Sequence, residues 1–110
     1  MQSIPKIIHQ IWYQGEDEMP ECYRYFAKHL RELHPDWEYR LWTADNMIPL
    51  INQQIHDEQP RYLFKSNISR FEILARYGGV YIDSDFLILK NLEPLMQNTD
   101  HVLLGNFRKG

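Results

Sequence analysis

Apolar positions along this chain recur in two rhythms, one suited to strands and one to helices. Ile4-Pro-Lys-Ile-Ile-His-Gln-Ile-Trp12 is dense in β-branched and aromatic residues. It predicts a buried first strand, with Pro5 at the start or edge where a strand tolerates it. Tyr13 to Gly15 and the acidic Glu16-Asp17-Glu18 predict a loop. Tyr23, Phe26, Ala27, Leu30 and Leu33 then recur at helical spacing, with Pro20 suited to the first turn and Pro35 as the stop. Trp37 to Trp42 alternates large apolar with charged residues and predicts a second strand with one covered face. A turn with helix-capping chemistry at Thr43-Ala44-Asp45 leads into a predicted helix over 46–55, followed by a polar loop over 56–60. The next helix is predicted to be capped by Ser66 or Ser69, since Ser69 and Glu72 have capping-box spacing. Its buried stripe is read as Ile68, Phe71, Leu74 and Ala75, and Gly78-Gly79 ends it. Val80-Tyr81-Ile82 predicts a strand, Phe86 to Leu89 another, Leu92 to Met96 a helical turn, and His101 to Gly105 a last strand.

This alternation of strand and helix predicts a single α/β domain over 1–110, built on a mainly parallel sheet flanked by helices. After Val102-Leu103-Leu104 the chain offers Asn106 to Gly110 and no further element. A sheet ending there has an open edge, so the chain is read either as a minimal domain or as part of a larger one, with a second copy or a missing C-terminal half as candidate partners. An exposed apolar patch near Leu103 and Phe107 would mark the place.

Composition narrows the function classes. A net charge of −3 argues against nucleic acid as a partner. The single cysteine, Cys22, excludes an internal disulfide and a cysteine-ligated zinc cluster, and is read as a packing residue. No apolar h-region and no run of transmembrane length is present, so a cytoplasmic, soluble chain is expected, with room for a membrane-associated acceptor. The five histidines do not form a metal cluster. His29 and His34 are off the i,i+4 spacing of a helical zinc pair, and His9 reads as a satisfied core histidine. No nucleophile elbow, Walker loop or G-x-G-x-x-G is found.

The chemistry concentrates at Asp83-Ser84-Asp85. These carboxylates follow an apolar strand, where ligands bind in open α/β sheets. On an extended chain, i and i+2 point to the same side. Two carboxylates there repel each other unless a divalent cation sits between them, and their hard oxygens favour Mn²⁺ or Mg²⁺ shared with substrate phosphates. Trp12 ends the first strand and can stack on a nucleobase or fill the core. Arg70, on the helix before Gly78-Gly79, can clamp phosphate or sugar oxygens, or pair with Glu72 or Glu93. The Tyr81 hydroxyl can meet a ligand or simply pack.

Taken together, Ile4 to Trp12, Ser66-Asn-Ile-Ser-Arg70-Phe-Glu-Ile-Leu74 and Tyr77-Gly-Gly-Val-Tyr-Ile-Asp-Ser-Asp85 resemble glycosyltransferase family 32, the sugar-transferase region containing a DXD motif. Its members include yeast initiating α-1,6-mannosyltransferases and bacterial capsule or lipopolysaccharide sugar transferases. The glucosylating domains of clostridial toxins carry similar motifs. The resemblance runs from Ile4 to about Phe107. It implies a GT-A fold, of which this chain is the N-terminal donor-binding portion. It also implies a UDP- or GDP-sugar donor, Mn²⁺ (or Mg²⁺), and transfer of a hexose with retention to a glycan, lipid-linked or protein acceptor, as in polysaccharide biosynthesis. By position it makes Asp83 and Asp85 the metal-binding carboxylates, Asp83 also a donor contact, Trp12 the base-stacking ring, Arg70 the arginine on donor sugar and phosphate, and Tyr81 a neighbour of the diphosphate. Arg70, Asp83 and Asp85 are thus the catalytic candidates. One departure falls on the sugar side: the family's Ser-Asp is Ser66-Asn67 here, which keeps hydrogen-bonding capacity and lacks the charge.

Two other readings stand beside this one. A catalytically weak domain would bind nucleotide, or dock a partner, without transferring sugar. A haloacid-dehalogenase-type phosphatase also places Asp-x-Asp after a strand, although Phe86-Leu-Ile-Leu89 follows here in place of a flexible Gly or Thr loop.

Overall fold

The computed structural model describes residues 5–60, 62–96 and 101–104. The described elements are β1 (Ile7–Ile11), α1 (Glu21–Leu33), β2 (Glu38–Trp42), α2 (Gln53–Glu58), α3 (Tyr62–Tyr77), β3 (Gly79–Ile82) and β4 (His101–Leu104), with 3₁₀ turns at Glu16–Glu18 and Glu93–Met96. The strands form one sheet in the order β2-β1-β3-β4, and every pairing is parallel. This is the α/β sheet that the strand–helix alternation predicts.

Period-two alternation splits the core into two layers. On one face Ile8, Val80 and Ile82 pack with Leu30 of α1, Trp37, Ile88 and Leu92. On the other, Ile11, Tyr81, Tyr13 and Trp42 pack with Ile73 and Leu74 of α3. Helices thus cover both faces, as parallel strands require. Two buried histidines fasten elements together, His9 within the sheet and His34 between the end of α1 and the segment at Leu92. The Trp42 indole N–H donates to His9 Nδ1 at 3.1 Å, so His9 Nε2 carries the proton and donates to Gly78 O at 2.9 Å. His34 Nδ1 donates to Leu30 O at 2.8 Å, and its Nε2 accepts from the Leu92 N–H at 2.9 Å.

Three predicted elements differ from the observed ones. α3 starts at Tyr62, so Ser66 and Ser69 are interior residues and cap nothing. Ser69 is satisfied inside the helix because its hydroxyl donates back to Lys65 O at 3.1 Å. The buried stripe shifts accordingly: Ser69, Ile73 and Leu74 are buried, while Phe71 and Ala75 are exposed. The helix predicted over 46–55 is short and late, and it takes in His56, Asp57 and Glu58 from the predicted loop. Asn46 folds back, its Oδ1 accepting from Thr43 N and its Nδ2 donating to Leu41 O. The Glu72 carboxylate accepts from the Ile51 and Asn52 N–H groups, and Gln53 Oε1 from Leu50 N–H, which sets the start of α2 at Gln53. Phe86 to Leu89 is not a strand, because both edges of β3 are already taken by β1 and β4. Ile88 is buried and Phe86 packs on the α1-side core, while Leu87 and Leu89 face solvent. The expected packing role of Cys22 also fails, since it is exposed. The predicted patch at Leu103 and Phe107 and the open edge after Leu104 rest on residues or side chains outside those described.

Candidate active site at the carboxyl edge of the sheet

Parallel pairing brings the ends of β1 and β3 to one edge, so Trp12 and Asp83 emerge side by side. The α3–β3 junction aims the latter. Gly78 and Gly79 take φ values of 69° and 92°, which reverses the chain from helix to strand without a Cβ penalty. Four buried residues later the chain leaves the sheet at Asp83.

The carboxylate pair is not on extended backbone, as the i,i+2 reading assumed. Phe86 N–H donates to Asp83 O at 3.1 Å, which closes a turn with Asp83 first and Asp85 third. Two side chains missed in the sequence fasten this turn to β1. Gln10 Nε2 donates to Asp83 O at 3.4 Å, and the buried Ser84 hydroxyl donates to Ile11 O at 3.4 Å. A buried Gln inside an isoleucine-rich strand was the signal for the first.

Of the residues singled out in the sequence, Asn67, Arg70, Tyr81 and Asp83 meet. Arg70 pairs with Asp83, its Nη1 lying 3.6 Å from Oδ1, rather than with Glu72 or Glu93. Glu93 instead pairs with Lys6 at 2.8 Å. Arg70 Nη2 donates to Asn67 Oδ1. Its guanidinium lies 5.7 Å from the Tyr81 ring centroid and 5.6 Å from that of Phe71. The Arg70 side chain is 20% exposed, and its buried Nε lacks a hydrogen-bond partner. Tyr81 is buried and its hydroxyl donates to Asp83. Burial, with the Asp83 charge added, pushes its phenol far above the ordinary range, so it stays a donor. Asp83 and Asp85 are both partly exposed.

Trp12 reaches the same edge one strand over. Its backbone N–H donates to Trp42 O at 2.8 Å, and Tyr23 of α1 meets its ring edge-on at 5.8 Å. Its indole N–H, like Arg70 Nε, is buried without a partner. Beneath this edge lies a network the sequence reading did not foresee: the Tyr13 hydroxyl sits 2.7 Å from His56 Nε2 and 2.8 Å from Ser69 Oγ. The only hint was a histidine in a stretch read as loop.

For a divalent cation the donor set is Asp83 and Asp85. Among the described residues no group of three or more His, Cys, Asp or Glu could hold a metal. Two half-exposed carboxylates do not make a closed structural site. They suit a hard cation that completes its shell with waters and phosphate oxygens, and in that sense the residues fit Mn²⁺ or Mg²⁺. Among the described residues no helix is long and apolar enough to cross a membrane.

Residues 20–102 match the family described as the glycosyltransferase sugar-binding region containing a DXD motif. The chain is 37% identical over 100 residues to inositol phosphoceramide mannosyltransferase 3 of Schizosaccharomyces pombe, covering 86% of this chain and 28% of that protein. It is 38% identical over 101 residues to the mannosyl phosphorylinositol ceramide synthase SUR1 of Saccharomyces cerevisiae, covering 86% of this chain and 26% of that one. The initiation-specific α-1,6-mannosyltransferase of Candida albicans is 27% identical over 118 residues, covering 96% of this chain and 30% of that one. The chain thus spans about a quarter to a third of the length of these relatives. No solved structure matches it significantly.

Proposed function

Because the chain belongs to the family of DXD-containing glycosyltransferase sugar-binding regions, we propose that it forms the donor-binding part of a metal-dependent, retaining glycosyltransferase of GT-A type. The donor is a UDP- or GDP-sugar and the acceptor a glycan, lipid-linked or protein hydroxyl. The observation that carries this reading is the Asp83–Phe86 turn at the carboxyl edge of a parallel sheet, with Arg70 drawn onto Asp83 from α3. The relatives' names make mannose the first hexose to try, as GDP-mannose, and inositol phosphoceramide the first acceptor.

Asp83 and Asp85 would hold Mn²⁺ or Mg²⁺, which when bound neutralises a diphosphate and makes it a better leaving group. The chain's own residues do the rest. Trp12 offers a ring to the base. Arg70 adds fixed positive charge beside the carboxylates for the phosphate and the donor sugar. Asn67 spends its carbonyl oxygen on Arg70, which leaves its NH₂ to donate to a sugar hydroxyl. Tyr81, held protonated by burial, fixes the Asp83 carboxylate with its hydroxyl.

Titration calorimetry with Mn²⁺ and a panel of nucleotide sugars tests the reading. At least one UDP- or GDP-sugar should bind, and binding should vanish with EDTA or in Asp85→Ala. A flat titration across the panel, or an Asp85→Ala protein that binds as well as the parent, sinks it. Mannose transfer or donor hydrolysis by the bound complex separates an enzyme from a domain that only binds.

A further inference from the structure

Tyr13 follows Trp12 in the chain, and Ser69 precedes Arg70. The fold ties these two flanking residues together. The Tyr13 hydroxyl lies 2.8 Å from Ser69 Oγ and 2.7 Å from His56 Nε2. The line runs on from Ser69 to Lys65 O at 3.1 Å, and at the other end Asp57 Oδ1 lies 3.0 Å and Gln53 Nε2 3.4 Å from His56 Nδ1. Since the Ser69 hydroxyl donates to Lys65 O, its oxygen accepts from Tyr13, and the Tyr13 oxygen is left to accept from His56. The segment after β1, the helix α2 and the middle of α3 are thereby joined through side chains.

All three central groups are buried, with Tyr13 at 6%, His56 at 6% and Ser69 at 0% exposure. None of them can touch a donor directly. Burying three polar side chains is not the cheapest way to fill this space, because apolar residues of similar volume need no partners. What hydrogen bonds add is directionality: each fixes a distance and an angle that apolar contact leaves loose. The distance fixed here is that between the backbone carrying Trp12 and the helix turn carrying Arg70. The charged or titratable groups facing His56 are Asp57 on its own helix, Tyr13 at the end of β1, and Lys65 of α3, whose Nζ lies 3.4 Å from His56 O.

We propose that Tyr13, His56 and Ser69 are positioning residues that set the spacing of Trp12 and Arg70, and so the affinity of the site for a nucleoside diphosphate. This rests on the donor-binding reading above. Breaking the line should weaken nucleotide binding about tenfold, the lower end of the scale for losing groups that orient metal ligands.

The test measures the affinity of the protein for GDP and UDP with Mn²⁺, well below each variant's melting temperature. Tyr13→Phe and His56→Leu should bind about tenfold more weakly. His56→Gln, whose amide can still donate to Tyr13, should recover to within about threefold of the parent. His34→Leu removes an equally buried histidine on the far side of the sheet; it should lower the melting temperature and leave affinity unchanged. The proposal is overturned if Tyr13→Phe and His56→Leu bind like the parent, or if His34→Leu weakens binding as much as His56→Leu. Should His56→Leu not fold, Tyr13→Phe decides the matter alone. A parent protein that binds neither nucleotide fails the donor-binding reading itself, a different result from a parent that binds and variants that bind equally.

Discussion

Gly79 is where helix α3 hands the chain to β3, and substituting it by Ala probes how closely β3 must approach β1. At φ 92° the residue lies where a side chain is strained, and an added Cβ would sit 2.5 Å from the Ile7 carbonyl oxygen and 3.1 Å from Ile7 Cβ. Both neighbours belong to β1, and the oxygen is backbone, so neither can swing aside. Gly15 supplies the control: its φ is 100°, but a Cβ there meets nothing within 4 Å. Backbone strain alone costs about 1–2 kcal/mol, which is what Gly15→Ala should lose. Forcing an atom into the β1–β3 contact adds about 1–3 kcal/mol. Gly79→Ala should therefore lose about 3 kcal/mol or more, a large share of the ~5–15 kcal/mol that holds a domain together. Urea unfolding followed by tryptophan fluorescence reads both variants, and melting should fall by about 12 °C or more for Gly79→Ala. If Gly79→Ala is no less stable than Gly15→Ala, the close approach of these strands is wrong. The placement of Asp83, which depends on it, goes too.

Other consequences are quicker to check. Glu72→Ala strips the acceptors from the Ile51 and Asn52 N–H groups, so hydrogen exchange should quicken at the start of α2 and stability should fall by about 1 kcal/mol, with α3 intact. Burial holds the His9 imidazole below its ordinary pKa of 6.5, so the unfolded chain binds its proton first. That contribution to stability is present above pH 6.5 and is lost as pH falls from there through the folded value; the acid-side drop in melting temperature should shrink in His9→Gln. Cys22 is exposed and should react with a thiol reagent in native buffer, where a buried thiol would wait for denaturant.

The sheet was legible because its strands announce themselves. Ile7, Ile8 and Ile11 have few other places to go, and Gly78-Gly79 before Val80 marks the helix–strand junction. The place of the candidate site was legible for the same reason, since Asp83 follows directly from a strand end. What local pattern could not show were features set by distant partners. Ser69 looked like a cap because its acceptor at Lys65 and its donor at Tyr13 are visible only in three dimensions. Phe86 to Leu89 has strand composition, but both edges of β3, the strand it follows, are already paired. The turn at Asp83 is fixed by Gln10 and Ser84 reaching across to and from β1, a contact spanning 73 residues of sequence. Arg70 pairs with Asp83 rather than with either glutamate, since Glu72 is occupied by the start of α2 and Glu93 by Lys6. Membership of a glycosyltransferase family sets aside the phosphatase reading of the same Asp-x-Asp.

On the proposed function, Asp83 and Asp85, with Arg70 paired to Asp83, form the metal and diphosphate end of a donor site. A crystal structure grown with Mn²⁺ and GDP tests it most directly. One anomalous peak is expected within coordination distance, about 2.0–2.6 Å, of carboxylate oxygens on the Asp83–Phe86 turn, with diphosphate oxygens completing its shell and the base against Trp12. A nucleotide bound elsewhere, or one bound at this edge with Asp83 still paired to Arg70 and no metal at the carboxylates, would contradict it.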